Sequence, residues 1–223
     1  MVIADVQRIE LKMHQYAREY MGSIESMRSR IDRLSVRTCF ATHGKNMGFR
    51  GMYSPSLALK YIVGNAIPGK LLKKEPLKFS GHYFYAFDEC DRIIYAKKYP
   101  ESNEPAWATF EEFIFYRGGE QISIVFIGQA QAPRYVTLCE HQQELPILYA
   151  QFSLEAEIEL YSLEIEQYEY SQQILSGIHW WHILKKRGKY EGVSEVSKIS
   201  FDEHGRAIIS DNIQSPISMP MSN

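Results

Sequence analysis

Between residues 155 and 170 the chain carries six glutamates, Glu155, Glu157, Glu159, Glu164, Glu166 and Glu169, with no Lys or Arg among them. Tyr161, Tyr168 and Tyr170 are interleaved. Side chains of an extended strand alternate between two faces. Such a backbone puts Glu155, Glu157 and Glu159 on one side and Ala156, Ile158 and Leu160 on the other, and it groups Glu164 with Glu166. Clustered carboxylates and phenols suit the capture of a basic protein, because charge speeds association and aromatic rings anchor the contact. The plainer alternative is a solvated face that keeps a sheet soluble. On the capture reading, Glu157, Glu159, Tyr161, Glu164, Glu166 and Tyr168 are the partner-binding residues.

The run Gly177-Ile178-His179-Trp180-Trp181-His182 is the second candidate. On a strand, His179 and Trp181 face one way and Trp180 and His182 the other, which separates the two imidazoles. On a helix they would approach each other, yet a metal would still need ligands from elsewhere. Adjacent tryptophans read as core on one side and a packing or binding surface on the other. Cys39 and His43 have the side-chain types of a nucleophile and base, but no third group stands near them in sequence to orient the base. Gly44-Lys45 departs from a phosphate loop, since Asn46 follows the lysine and no glycine precedes Gly44 by five. G-x-S-x-G, H-E-x-x-H and dinucleotide glycine patterns are missing. The expectation is therefore no catalytic residue, no metal, no cofactor and no enzyme. The alternative is a metal-dependent enzyme built on His179, His182 and carboxylates.

The elements around these residues change period along the chain. Val6, Met13, Tyr20, Met27 and Leu34 recur every seven residues, extended by Ile9, Tyr16, Ala17, Ile24 and Ile31. That stripe predicts one helix over residues 3–35 that needs a partner surface. Ser54-Pro55 predicts the cap and first turn of a short helix that ends near Gly64. Residues 66–80 read as a basic linker. From residue 79 the period becomes two. Tyr83–Phe87, Arg92–Tyr95, Glu112–Tyr116, Ile122–Ile127, Arg134–Leu138, Ile147–Phe152, Glu155–Tyr170, Ile174–Leu184 and Val196–Ser200 are candidate strands. Gly118-Gly119 is a hairpin turn. The fold expected is α+β and mainly β: a long N-terminal helix plus a twisted antiparallel meander. Its divisions are a helical, basic region over 1–78, a sheet domain over 79–210 and a flexible tail over 211–223.

Two hairpins superpose in sequence. Ala86-Phe87-Asp88-Glu89-Cys90-Asp91-Arg92-Ile93-Ile94 aligns with Ser200-Phe201-Asp202-Glu203-His204-Gly205-Arg206-Ala207-Ile208. Asp can bond back to the turn N–H groups, and the residue before Arg takes a positive φ, which Gly favours and Asp tolerates. This pattern resembles the tyrosine–aspartate repeat of Rhs-type proteins, with Phe87 and Phe201 where that family usually has Tyr. The resemblance implies YD-like hairpins and a place beside polymorphic-toxin systems, such as a bacterial immunity protein.

Composition sets the remaining bounds. Among 223 residues, 45% are apolar and 13% aromatic, with 15 Tyr and 11 Phe, which favours a pleated, half-buried sheet. Residues 1–80 hold 14 Lys and Arg against 6 acids, and residues 81–223 hold 11 against 21. The net charge of −2 argues against direct nucleic-acid binding. Three cysteines without paired spacing suit a reducing cytoplasm. No apolar run is long enough to span a bilayer. The function expected is a non-enzymatic protein-binding module, most specifically an immunity protein that occludes a basic toxin domain. The alternative is a phage or secretion-system component forming a homo-oligomer through residues 3–35.

Overall fold

The computed structural model describes residues 3–20, 24–44, 50–62, 67–105, 108–128, 130, 132–154, 161–186 and 189–220. The expected long N-terminal helix is present: its described residues are helical over α1 (Ile3–Tyr20) and α2 (Ile24–Leu34). Gly22 lies outside the described residues. The stripe is real, because Val6, Ile9, Met13, Tyr16, Ala17, Ile24, Met27 and Ile31 are all buried. Its partner is the chain's own sheet. Most of the stripe that a homo-oligomer through residues 3–35 would use is thus packed inside the chain, while Leu11 and Leu34 of the same helices are exposed.

The sheet makes the structure mainly β, with 54% strand among the described residues. Its strands are β1 (Arg37–Thr42), β2 (His82–Phe87), β3 (Ile93–Lys98), β4 (Phe110–Arg117), β5 (Glu120–Ile127) and β6 (Tyr135–Gln142). They continue as β7 (Leu145–Ser153), β8 (Tyr161–Ser171), β9 (Ile174–Lys186), β10 (Lys189–Phe201) and β11 (Ala207–Pro220). All eleven are antiparallel and follow one another in sequence order. Every neighbour is thus a hairpin or a longer return, as period-two segments joined by short turns dictate.

Two boundaries differ from the sequence reading. Residues 1–78 are no separate unit: β1 pairs with β2 from Arg37↔Phe87 to Thr42↔His82, and both helices lie on the sheet. Residues 211–220 are no tail either, because Asp211 through Pro220 pair with Lys198 back to Lys189. Those residues are polar and include Pro216 and Pro220, which an edge strand tolerates.

The two repeated turns form the same hydrogen bonds. Asp88 Oδ1 accepts from Cys90 N and Arg92 N, each at 3.0 Å. Asp202 Oδ1 accepts from His204 N and Arg206 N, each at 2.9 Å. Each arginine Nε donates back to its aspartate, at 2.9 Å from Arg92 and 2.7 Å from Arg206. Asp91 (φ 58°) and Gly205 (φ 72°) hold the left-handed position.

Alternation divides the core. On the helical face, α1 and α2 cover Phe113, Ile122, Ile124, Val136, Leu138, Phe152, Leu163, Ile165, Trp181 and Ile183. The opposite, far face carries Tyr83, Tyr85, Tyr149, Tyr168 and Ile178. It is closed by the irregular segment 50–62, which includes the short helix α3 (Leu57–Tyr61).

Candidate functional site

The far face holds the polar interior. In β4, Phe110-Glu111-Glu112-Phe113 places two acids inside an apolar run, and alternation sends them to opposite faces. Glu111 reaches the helical face, where Arg28 donates from Nε at 3.0 Å and Tyr95 Oη donates at 2.6 Å. Glu112, fully buried, turns to the far face and pairs with the Arg50 guanidinium. Ser123 Oγ donates to Glu112 Oε1 at 2.6 Å and also bonds Thr137 Oγ1. Glu112 Oε2 is buried without a partner.

Segment 50–53 is held over this pair by backbone and phenol bonds. Tyr85 Oη donates to Arg50 O and accepts from Met52 N at 3.1 Å. Gln121 Nε2 donates to Tyr53 Oη at 2.7 Å. Gly51 is required between them: its φ is +67°, and a Cβ there would lie 2.1 Å from Tyr85 Oη.

Further along the same face, Glu166 is 1% exposed. Its Oε2 accepts from Ala58 N at 2.9 Å and from Tyr168 Oη at 2.7 Å, and Ser56 Oγ donates to Oε1. Tyr168 Oη in turn accepts from Leu57 N at 3.2 Å. Ser56 caps α3 by accepting from Leu59 N at 2.9 Å, so the cap is Ser56 rather than the expected Ser54. Burial pushes the Glu166 carboxyl above its ordinary value, against the opposing bonds from Ser56, Tyr168 and Ala58. Glu166 and Tyr168 therefore do not face outward as expected; they fasten segment 56–58 to the sheet, because a buried carboxylate takes whatever N–H and O–H donors a covering segment brings.

Glu164 is half-buried and stands between Gln151 and His182 across the ladder. Burial pushes its carboxyl up, and His182 partly offsets this. Next to it a depression of ≈ 210 Å³ is lined by Trp180, His182, Val193, Glu195 and Gln214. Gln214 Nε2 donates to Glu195 Oε2 at 2.9 Å. Trp180 Nε1 is buried without a partner. Glu157 and Glu159 lie outside the described residues. Tyr161 opens β8 opposite Lys185.

No protein-family model, curated protein or solved structure matches the chain.

The site is thus read from its own geometry. His179 and His182 fall on opposite faces, as a strand requires; His179 sits on the helical face, 3.2 Å from Glu169 Oε1. Among the described residues no group of three His, Cys, Asp or Glu could hold a metal ion. Cys139 Sγ lies 3.8 Å from His141 Nε2, but burial pushes that thiol up to about 12, which leaves little thiolate. Burial also raises the Cys39 thiol, against the Arg37 charge. Among the described residues no helix is long and apolar enough to cross a membrane. Sequence reasoning missed Arg50, Ser56, Glu112 and Gln121. One signal could have found them: paired acids in the middle of an apolar strand demand a buried partner on each face.

Proposed function

We propose that the chain is a non-enzymatic module that captures a basic protein partner, in its most specific form an immunity protein occluding a toxin's active site. One observation carries this reading. Face-sharing positions of β8, β9 and β10 on the far side are Ser162 to Tyr168, Ile178 to Leu184 and Glu191 to Ser197, taken alternately. Within these limits they hold Glu164, Glu166, Glu191 and Glu195 and no Lys or Arg; the next position of β10 on that face, at its hairpin end, is Lys189. Beyond buried Glu166, Glu195 lines the depression with Trp180 and Val193, and Glu164 pairs across the ladder with His182 of its lining. Acid around an apolar hollow speeds the encounter with a basic surface and gives it one anchor. Glu155, Glu157 and Glu159 add acid to the sequence just before β8. The kinship with tyrosine–aspartate repeat proteins is supported by the identical bonding of the Asp88 and Asp202 turns.

The test pairs the full chain with the product of the adjoining reading frame, co-expressed and then purified. We expect neutralised toxicity and a salt-sensitive complex that Glu191→Lys with Glu195→Lys weakens by about tenfold or more. A complex indifferent to both substitutions, or none at all, overturns the reading.

A further inference from the structure

We infer that the chain assembles head to tail with a second copy of itself, the basic tip at residues 70–78 of one copy seating in the far-face depression of the next. The tip is tied down at both ends. Leu72 N donates to Phe40 O at 2.8 Å, and Thr42 N donates to Lys70 O at 3.0 Å. The chain returns at Phe79, whose ring stacks on Phe40 with centroids 5.3 Å apart. Between these anchors Leu77 is fully exposed and Leu71 is 55% exposed. Lys70, Lys73, Lys74 and Lys78 surround them, and Glu75 is the one acid in the stretch. None of these lysines forms an ion pair with a described residue.

The depression matches this tip in both polarity and charge. Trp180 and Val193, the latter 46% exposed, offer an apolar wall to a leucine side chain. Glu164, Glu191 and Glu195 on the same face offer carboxylates to the flanking ammonium groups. Tip and depression are different patches, so with one such contact per pair of copies the assembly is heterologous and propagates head to tail. It shares the depression with the capture reading, on which it rests in part, but the tip belongs to it alone.

Sedimentation equilibrium of the full chain decides this. The mean mass should rise above 25.9 kDa with concentration and fall back with added salt. A tip variant (Lys73→Ser, Lys74→Ser, Leu77→Ser) and a depression variant (Glu191→Lys, Glu195→Lys) should each remain at the monomer mass. An equal mixture of the two should form a dimer and nothing larger, because only one intact tip meets one intact depression. Circular dichroism verifies that each variant keeps its strands. A wild-type chain that stays monomeric, a tip variant that assembles normally, or a mixture that stays monomeric overturns the proposal. A tip variant that fails to assemble yet still captures the basic partner separates this inference from the capture reading. Loss of capture with assembly intact sinks that reading alone.

Discussion

The two faces of one sheet treat their acids in opposite ways. On the helical face the acids, buried Glu111 among them, each stand within reach of a cation. Lys12 Nζ lies 2.8 Å from Glu140 Oε1 and also pairs with Glu120, and Arg28 clasps Glu111. Burial raises Glu111 and Glu120, yet Arg28 with Tyr95 and Lys97, and Lys12 with Tyr16, outweigh it and hold both carboxyls below their ordinary value. On the far face the acids sit within the interior, and Glu164 and Glu166 are pushed upward by burial. The difference lies in what covers the sheet. A regular helix consumes its own backbone groups and offers an apolar stripe with long basic arms. An irregular segment brings free N–H groups and hydroxyls, which can satisfy a carboxylate far from any cation.

The largest effect expected comes from the one far-face acid that does have a cation. Arg50→Met leaves Glu112 buried and unpaired, and should cost about 3–5 kcal/mol in urea unfolding. Adding Glu112→Leu should recover much of that loss, since an apolar pair needs no solvation. A single-variant cost below about 1 kcal/mol would break the comparison at its strongest point, because Glu112 would then be reaching water. On the helical face Met13→Ala removes a fully buried side chain from the main apolar cluster. It should cost about 2–5 kcal/mol, with no polar double variant able to restore it.

Much of the helical face was legible in the sequence, and little of the far face was. A seven-residue apolar recurrence from Val6 to Met27 states both that a helix forms and which side it buries. Period-two runs did the same for most strands, and the matching Asp88 and Asp202 turns were visible as a repeat. The far face depends on residues 50–62 folding back onto strands 60 to 110 positions away, as in Arg50–Glu112 and Ser56–Glu166. No period in the sequence encodes such a return. The glutamates of 164–169 were visible, but whether they met water or Ser56 was not, since alternation fixes a face without saying what covers it. The strand at 211–220 was missed because pairing with β10 overrode weak local preference.

Acid titration gives the finest test of the contrast, because the two kinds of carboxylate should slope in opposite directions. Glu111 folds with its carboxyl below the ordinary 4.5, so the native state holds the charged form more tightly than the unfolded chain does. Its stabilisation is complete above 4.5 and is lost as pH falls through the lowered value. Glu166 folds with its carboxyl above 4.5, so the native state keeps a proton that the unfolded chain releases. Stability therefore declines as pH rises from 4.5 through that raised value. Urea midpoints measured from about pH 3 to about pH 8 should show Glu111→Gln flattening the acid limb and Glu166→Gln flattening the decline above it. Gln at 166 still accepts from Ala58 N and Tyr168 Oη through its amide oxygen, so the segment stays fastened and the fold persists. If Glu166→Gln left the upper limb as steep as before, the interior acid would be charged at all those pH values. The far face would then need a cation that its geometry does not place beside Glu166, and the contrast between the two coverings would fail.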